Sequence, residues 1–166
     1  MGHFICRCNT AFPARVGDAY IRSNNMDIRY LDNALTGETL ASFRNQAGWG
    51  ATPLPQAQKA VQNTLFSVVA YDGDIPVGIG RLVGDGAINW YIQDLIVLAA
   101  YQNHGVGSKI IDQLMNFASQ NSVPDSVVTI ALMAAKGKEE FYQKFGFLAR
   151  PNEQQGAGMM MKKKIY

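Results

Sequence analysis

The sequence contains few of the residues that mark disulfide-stabilised or metal-binding proteins. Its 166 residues include two cysteines, Cys6 and Cys8, and two cysteines one residue apart exclude a disulfide framework. A Cys-x-Cys pair can ligate a metal ion, but His3 is the one further ligand nearby, whereas a structural zinc site needs four. We therefore expect two free thiols in a reducing compartment and no metal site.

Long apolar runs are also missing. No stretch approaches the roughly 20 apolar residues that cross a bilayer. The start, MGHFICRCNTAF, lacks the basic and long apolar segments of a signal peptide. Met1-Gly2 opens the chain as in myristoylated proteins, but Cys6 stands where that motif has Ser or Thr. These features predict a cytoplasmic protein without a membrane partner.

Charge is scarce and nearly balanced. Charged residues make up 17% of the chain, with 15 basic and 13 acidic side chains and a net charge of +2. A domain built to hold nucleic acid is usually far more basic, so we expect no nucleic-acid partner. A local basic patch for a small phosphate ligand stays open. The hydrophobic fraction of 48% excludes wholesale disorder.

The length predicts about one domain. Residues 1–25 show no sustained hydrophobic period and are polar around Gly17, Asp18 and 23–25. We expect them to be an N-terminal extension outside the fold. Met26 opens a strand-like run, and residues 26–166 are expected to form a single domain.

The sequence of the first half of that domain predicts two helices followed by a meander of β-strands. Thr36 is a candidate N-cap for a helix over 36–46, and Pro55 suits the first turn of a second helix. Asp72-Gly73 and 84–86 (Gly-Asp-Gly) then separate three apolar runs. Turn signals between apolar runs predict three antiparallel strands.

The second half predicts a parallel crossover. An amphipathic helix over Val106–Ser119 leads into the apolar run SVVTIALM, and a strand–helix–strand order favours a right-handed parallel connection. A short helix over Lys138–Phe145 and a last strand in MMMKKKIY follow. The predicted fold class is α/β (α+β), with a mixed, mostly antiparallel sheet and a central parallel β-α-β unit flanked by helices.

The segment LIVLAAYQNHGVGSK carries a possible anion site. Gly105 and Gly107 lie between a strand and the long helix, where the absence of Cβ lets a ligand approach the backbone and the first-turn N–H groups favour a diphosphate. A tight turn without a ligand remains the alternative. The order Gly107-Ser108-Lys109 does not fit a P-loop, and Ile110 replaces the third glycine of a dinucleotide fingerprint.

The segment KEEFYQKFGF places Tyr142 on the short helix, among phenylalanines that suit a core. The two segments together indicate a function more specifically than either segment does alone. The pattern Q-x-x-G-x-G after a strand reading D-L-I-V, followed about 35 residues later by F-Y-x-K-x-G-F, resembles the acetyl-CoA motif of the GNAT superfamily of N-acetyltransferases. The element order of residues 26–166 is similar to that family as well.

The resemblance implies an enzyme that uses acetyl-CoA as co-substrate and transfers the acetyl group to a primary amine of a small molecule by direct attack on the thioester. It implies that the coenzyme lies between two splayed parallel strands. The implied coenzyme-binding residues are Leu95, Ile96, Val97, Gln102, Asn103, His104, Gly105, Val106, Gly107, Ser108 and Lys138. One departure is that MAAKGKEEF lacks the Asn that many members carry before the last helix, so backbone or lysine contacts would replace it.

The resemblance also assigns the chemistry. Tyr142 corresponds to the family tyrosine that protonates the departing thiolate, and a phenol with a pKa of about 10 can donate to a thiolate whose thiol has a pKa of about 8.5. Asp94 is the candidate base, acting through water. Its alternative role is that of a structural hydrogen-bond acceptor.

The implied acceptor site is walled by the two N-terminal helices and their connecting loop, which points to Phe43 and Trp49, with Tyr91 on the central strand. The acceptor's identity stays open among aminoglycosides, arylalkylamines, polyamines and amino acids. Two other functions stay open: a peptide or protein lysine acetyltransferase, and a non-catalytic acyl-CoA-binding domain. Exposed strands and the apolar content are compatible with a homodimer.

Overall fold

The structure is a computed structural model that describes residues 26–165. Its strands are β1 (Ile28–Asp32), β2 (Phe66–Asp72), β3 (Ile75–Gly84), β4 (Asn89–Val97) and β5 (Thr129–Ala131). Its helices are α1 (Gly37–Gln46), α2 (Leu54–Gln62), α3 (Val106–Asn121) and α4 (Glu139–Gln143), with a 3-10 turn at Ala99–Tyr101. The expected extension over residues 1–25, with Cys6 and Cys8, lies outside the described residues, so the domain boundary stays a prediction. None of these helices combines the length and the apolar character needed to cross a membrane.

The two N-terminal helices begin at the predicted signals. The hydroxyl of Thr36 caps α1 by accepting a hydrogen bond from the N–H of Thr39 at 3.2 Å. Pro55 lies in the first turn of α2, where its missing N–H costs no helical hydrogen bond. The apolar side chains of Leu40 and Phe43 turn α1 towards the sheet, where both are buried.

The five strands follow chain order across one sheet. Strands β1 to β4 pair antiparallel, which confirms the meander, and β4 pairs with β5 in parallel, which confirms the crossover. Helix α3 covers one face of the sheet, and α1 and α2 cover the other. The mixed α/β fold class is therefore confirmed. Helix α3 lies so close to β3 that a Cβ at Gly80 would come within 2.6 Å of Ile110 Cγ2.

Strand β4 contains a bulge at its centre. Ile79 of β3 lies opposite Ile96, and Arg81 lies opposite Gln93, so Asp94 and Leu95 of β4 share the single residue between the two β3 positions. Asp94 has a φ of 52°, in the left-handed region that Asn and Asp tolerate better than most residues. Bulges of this kind re-aim side chains and often lie beside active sites.

The bulge reverses the alternation of side chains along β4. Before it, Trp90 and Ile92 pack in the cluster beneath α3. After it, Leu95 and Val97 pack against that cluster, while Ile96 belongs to the cluster beneath α1 and α2.

The C-terminal elements differ from the prediction. Strand β5 spans Thr129–Ala131 instead of the whole run SVVTIALM, because the chain leaves β4 after Ala131 and loses its pairing partner. The expected last strand in MMMKKKIY is wrong for the described residues, which form no strand there. Three apolar residues followed by three lysines do not alternate with a period of two, and Met159, Met160 and Met161 are exposed.

Candidate functional site

A cleft opens where β4 and β5 part. The two strands pair over Asn89–Tyr91 and Thr129–Ala131, after which β4 continues to Val97 without β5 beside it. A cleft of about 940 Å³ occupies this gap, within the usual range for small-molecule sites. Its walls are the second half of β4, the start of α3, α4 and the loop after α1.

The start of α3 forms one end of the cleft. Gly105 is the N-cap residue and has a φ of 79°, and no side chain among residues 26–165 caps the helix. The N–H groups of a first helical turn have no acceptor within the helix, and here Gly107 and Ser108 of that turn line the cleft. Together with the helix dipole, this end is suited to an anion.

Most of the coenzyme residues predicted from the sequence line this cleft, and two do not. Those that line it are Leu95, Ile96, Val97, Gln102, Asn103, Gly105, Gly107, Ser108 and Lys138. His104 is exposed outside the lining. Val106 turns its side chain into the core beneath the sheet, where it is 1% exposed, so its backbone alone is available to a ligand.

Tyr142 projects from α4 at the boundary of the cleft. Its ring makes edge contacts with Phe141 and Phe147, with centroid distances of 5.1 and 6.1 Å. Burial raises the pKa of the Tyr142 phenol above its ordinary value, which keeps the hydroxyl protonated at neutral pH. The same residue also lines a second cavity of about 930 Å³ between β5 and the segment 145–159.

Asp94 lies at the bulge with both carboxylate oxygens paired. Its side chain is fully buried. Oδ1 accepts a hydrogen bond from Nη1 of Arg44 on α1, and Oδ2 accepts one from Nε of Arg81 on β3 at 2.7 Å. Neither oxygen is left to face an amine, which favours the structural role over that of the base.

The two arginines extend the network to both N-terminal helices. Arg81 also donates to Oγ1 of Thr64 at 3.2 Å, just after α2. Arg44 donates from Nε to Oγ1 of Thr52 at 3.0 Å and lies over the ring of Trp49, 5.5 Å from its centroid. Sequence reasoning missed both arginines. The available signal was one arginine in the apolar run of β3 and one aspartate in the apolar run of β4, because buried charges require partners.

The three predicted acceptor residues take different places. Trp49 lines the cleft and is 44% exposed. Phe43 is 2% exposed in the core beneath α1 and does not line it. Tyr91 lies where β4 is still paired with β5 and lines the second cavity instead. Of these three residues Trp49 alone lines the cleft, because helix packing buries Phe43 and the paired strands hold Tyr91 away from it.

Similarity to solved structures agrees with this architecture. A probable acetyltransferase of unknown function from methicillin-resistant Staphylococcus aureus is 33% identical, with a TM-score of 0.72. The match covers 82% of this chain and 99% of that one.

Curated relatives are similar at lower identity. An uncharacterised ycf52-like N-acetyltransferase of Prochlorococcus marinus is 28% identical over 116 residues, which cover 68% of this chain and 62% of that protein. A soybean protein named histone acetyltransferase TAP1 is 28% identical over 123 residues, covering 68% of this chain and 52% of that protein. The chain thus spans between half and two thirds of the length of these relatives. The sequence model of the GNAT acetyltransferase domain matches residues 33–163, and the chain therefore belongs to the GNAT acetyltransferase family.

Proposed function

We propose that the protein transfers the acetyl group of acetyl-CoA to a primary amine of a small molecule. The observation that carries the proposal is the cleft itself. It joins the half of β4 that has no partner on its β5 side, the start of α3 and Tyr142 in one space. These are a backbone edge, an anion site and a proton donor, which are the groups that a thioester linked to a diphosphate requires.

The cleft suits acetyl-CoA in shape and in polarity. The edge of β4 at Leu95–Val97 offers backbone N–H and C=O groups to an amide-containing arm, in the way an added strand would pair. The start of α3 suits the diphosphate, and Lys138 adds a positive charge to the wall of the same cleft. Bound there, acetyl-CoA would supply an activated acetyl group.

The residues of the cleft support direct transfer. The amine nitrogen attacks the thioester carbonyl carbon, the new C–N bond forms, and the C–S bond breaks. Tyr142 gives its proton to the departing sulfur, and its raised pKa keeps that proton available. The bulge at Asp94 and Leu95 leaves backbone groups of β4 without a ladder partner, and an N–H at this place can stabilise negative charge on the carbonyl oxygen.

Water is the better candidate for receiving the amine's proton. Asp94, predicted from the sequence as the base, has both oxygens bound to arginines. The amine then enters as the neutral species, which is a small fraction of an alkyl amine at pH 7 because its pKa is about 10.

The charge of the cleft favours an acceptor with a single amino group. Among the described residues, the acidic ones on its walls are Asp94 and Glu140, and the buried carboxylate of Asp94 is paired with two arginines. A polyamine or an aminoglycoside brings several ammonium groups, and each needs a carboxylate or water when it is bound.

The experiment that tests this function measures thiol release from acetyl-CoA with a panel of acceptors. The panel contains monoamines, amino acids, spermidine, an aminoglycoside, and peptides with a free N-terminus or a lysine. We expect thiol release with monoamines and the matching acetylated product by mass spectrometry. Acetylation of peptides alone would support the alternative suggested by the name of the soybean relative. Binding of acetyl-CoA without transfer to any acceptor would leave a non-catalytic acyl-CoA-binding domain.

A further inference from the structure

We propose that Arg44 is a positioning residue that fixes the acceptor side of the cleft by tying the Trp49 loop (residues 47–53) to the bulge of β4. This inference rests on the proposed acetyl transfer, since it assigns the control of acceptor binding within the same cleft. Arg44 itself does not line the cleft, whereas Trp49 and Asp94, the two groups it joins, both do.

The contacts of Arg44 reach both ends of this loop and the sheet beneath it. Its Nη1 donates to Oδ1 of Asp94, and its Nε donates to Oγ1 of Thr52 at 3.0 Å. Its guanidinium carbon lies 5.5 Å from the centroid of the Trp49 ring, a cation–π distance. In addition, its backbone oxygen accepts the N–H of Trp49 at 3.1 Å. One side chain therefore joins helix, loop and strand.

The anchor of this arrangement is rigid. Asp94 is fully buried, and Arg81 of β3 engages its other oxygen at 2.7 Å. Arg81 is itself held by the hydroxyl of Thr64. A carboxylate bound from two sides has one orientation, so the direction of the Arg44 guanidinium is set by the sheet.

The loop needs such a tie because of its sequence. Trp49 stands between Gly48 and Gly50, whose φ angles are 73° and 89°. Glycine on both sides gives this segment more backbone freedom than any other residue would, and ordering it costs more entropy. Holding the indole in one place restricts the acceptor space to one shape, and binding then avoids the cost of ordering the loop.

The test compares Arg44→Lys and Thr52→Val with a matched control. The lysine keeps the positive charge, but its single amino group replaces the two guanidinium nitrogens that donate to Asp94 and to Thr52 at the same time. Thr52→Val removes the bond to Arg44 at a half-buried position and keeps the shape of the side chain, so we expect the fold to be retained. Thr39→Val is the control, because its hydroxyl bonds to Thr36 at the far end of α1.

We expect Thr52→Val to raise the KM for the amine about five- to tenfold, the effect of one lost hydrogen bond, and Arg44→Lys to raise it at least as much. The KM for acetyl-CoA stays within twofold, and the control matches the wild type in both constants. Equal rises in the two KM values, or a lower kcat with an unchanged amine KM, would overturn the proposal.

A second readout does not depend on activity. The sequence has two tryptophans; Trp49 is 44% exposed and Trp90 is 2% exposed, so acrylamide quenching of the fluorescence reports chiefly on Trp49. We expect a larger Stern–Volmer constant for Thr52→Val and an unchanged one for Thr39→Val. Failure of the wild type to acetylate any amine would refute the proposed function. The quenching experiment would still test whether Arg44 restrains the Trp49 loop. The inference would be overturned if Thr52→Val left the Stern–Volmer constant unchanged. It would also be overturned if the Stern–Volmer constant rose while the KM for the amine stayed unchanged.

Discussion

The side-chain amide of Gln102 donates a hydrogen bond from Nε2 to the backbone oxygen of Val97 at 2.9 Å. This bond fastens the turn before α3 to the last residue of β4. In the proposed site, the diphosphate of the coenzyme lies at the start of α3 and its amide-containing arm lies along β4. The amide therefore sets the distance between the two ends of the site while adding little to the stability of the fold, since the bond is exposed.

Gln102→Ala is expected to weaken acetyl-CoA binding about tenfold, because the turn is no longer held to the strand that presents the other half of the site. Isothermal titration calorimetry measures the change in Kd. The control is Asn121→Ala, which removes a similar bond, from Nδ2 to the Phe117 oxygen at 2.8 Å, at the far end of the same helix. Equal affinities for the two variants would show that this bond does not organise the site.

Tyr142→Phe is expected to lower kcat by roughly 10²–10⁴, the usual contribution of a positioned proton donor. The KM for acetyl-CoA changes little, because the ring and its contacts with Phe141 and Phe147 remain. Steady-state kinetics with thiol detection separates the two constants. An unchanged kcat would remove the acid role and leave Tyr142 as a residue that packs beside the coenzyme.

The pH dependence of kcat/KM for the amine should rise from pH 6 to pH 9. The amine must lose its proton before it attacks, and its pKa is about 10. Tyr142 must keep its proton, and burial raises the pKa of the phenol, so any falling limb from this residue lies above its ordinary value of about 10. A falling limb below pH 9 that disappears in Tyr142→Phe would contradict this assignment.

Asp94→Asn distinguishes a structural carboxylate from a base. Asparagine accepts the left-handed backbone at this position, so the substitution tests the charge. It leaves Arg44 and Arg81 without their shared counter-ion, with side chains 26% and 11% exposed. We expect the free energy of unfolding to fall by about 3 kcal/mol, as measured by urea denaturation. Unchanged stability with a strong loss of kcat would restore Asp94 as the base.

Gly107→Ala tests the mouth of the cleft. A Cβ at this position would lie 3.5 Å from Phe141 Cζ and 3.6 Å from Val97 Cγ2. These are ordinary contacts, so the unliganded protein should melt near the wild-type temperature. The methyl group narrows the space between β4 and α4, and we expect acetyl-CoA binding to weaken about tenfold or more. Wild-type affinity in this variant would place the diphosphate away from this turn.

The elements defined by local patterns could be predicted from the sequence. The apolar face over Val106–Ser119 predicts α3, and in the structure that helix starts at the predicted residue and ends at Asn121. Turn residues at Asp72-Gly73 predict the hairpin between β2 and β3. These features depend on neighbours within a few positions, where periodicity and turn chemistry decide the structure.

The acceptor side could not be predicted in the same way. Arg44 and Asp94 are separated by 50 positions and Arg81 and Asp94 by 13, so their pairing depends on how α1 packs on the sheet. The direction of each β4 side chain depends on the bulge, which reverses the alternation after Gln93. Strand alternation alone therefore does not tell which of the β4 residues reach the cleft, and Tyr91 lines the second cavity instead.

The central claim is that the cleft beside β4 binds acetyl-CoA, and a thermal melt of the full chain tests it most directly. A ligand that binds only the folded state adds about 2.7 kcal/mol of stability at a hundredfold excess over its Kd. We predict that acetyl-CoA and CoA raise the Tm by several degrees and that ATP does not. At the same ligand concentration, Gly107→Ala should lose about half of the shift or more, since a tenfold weaker Kd leaves about 1.4 kcal/mol of the stabilisation. No change in Tm at millimolar acetyl-CoA would contradict the account.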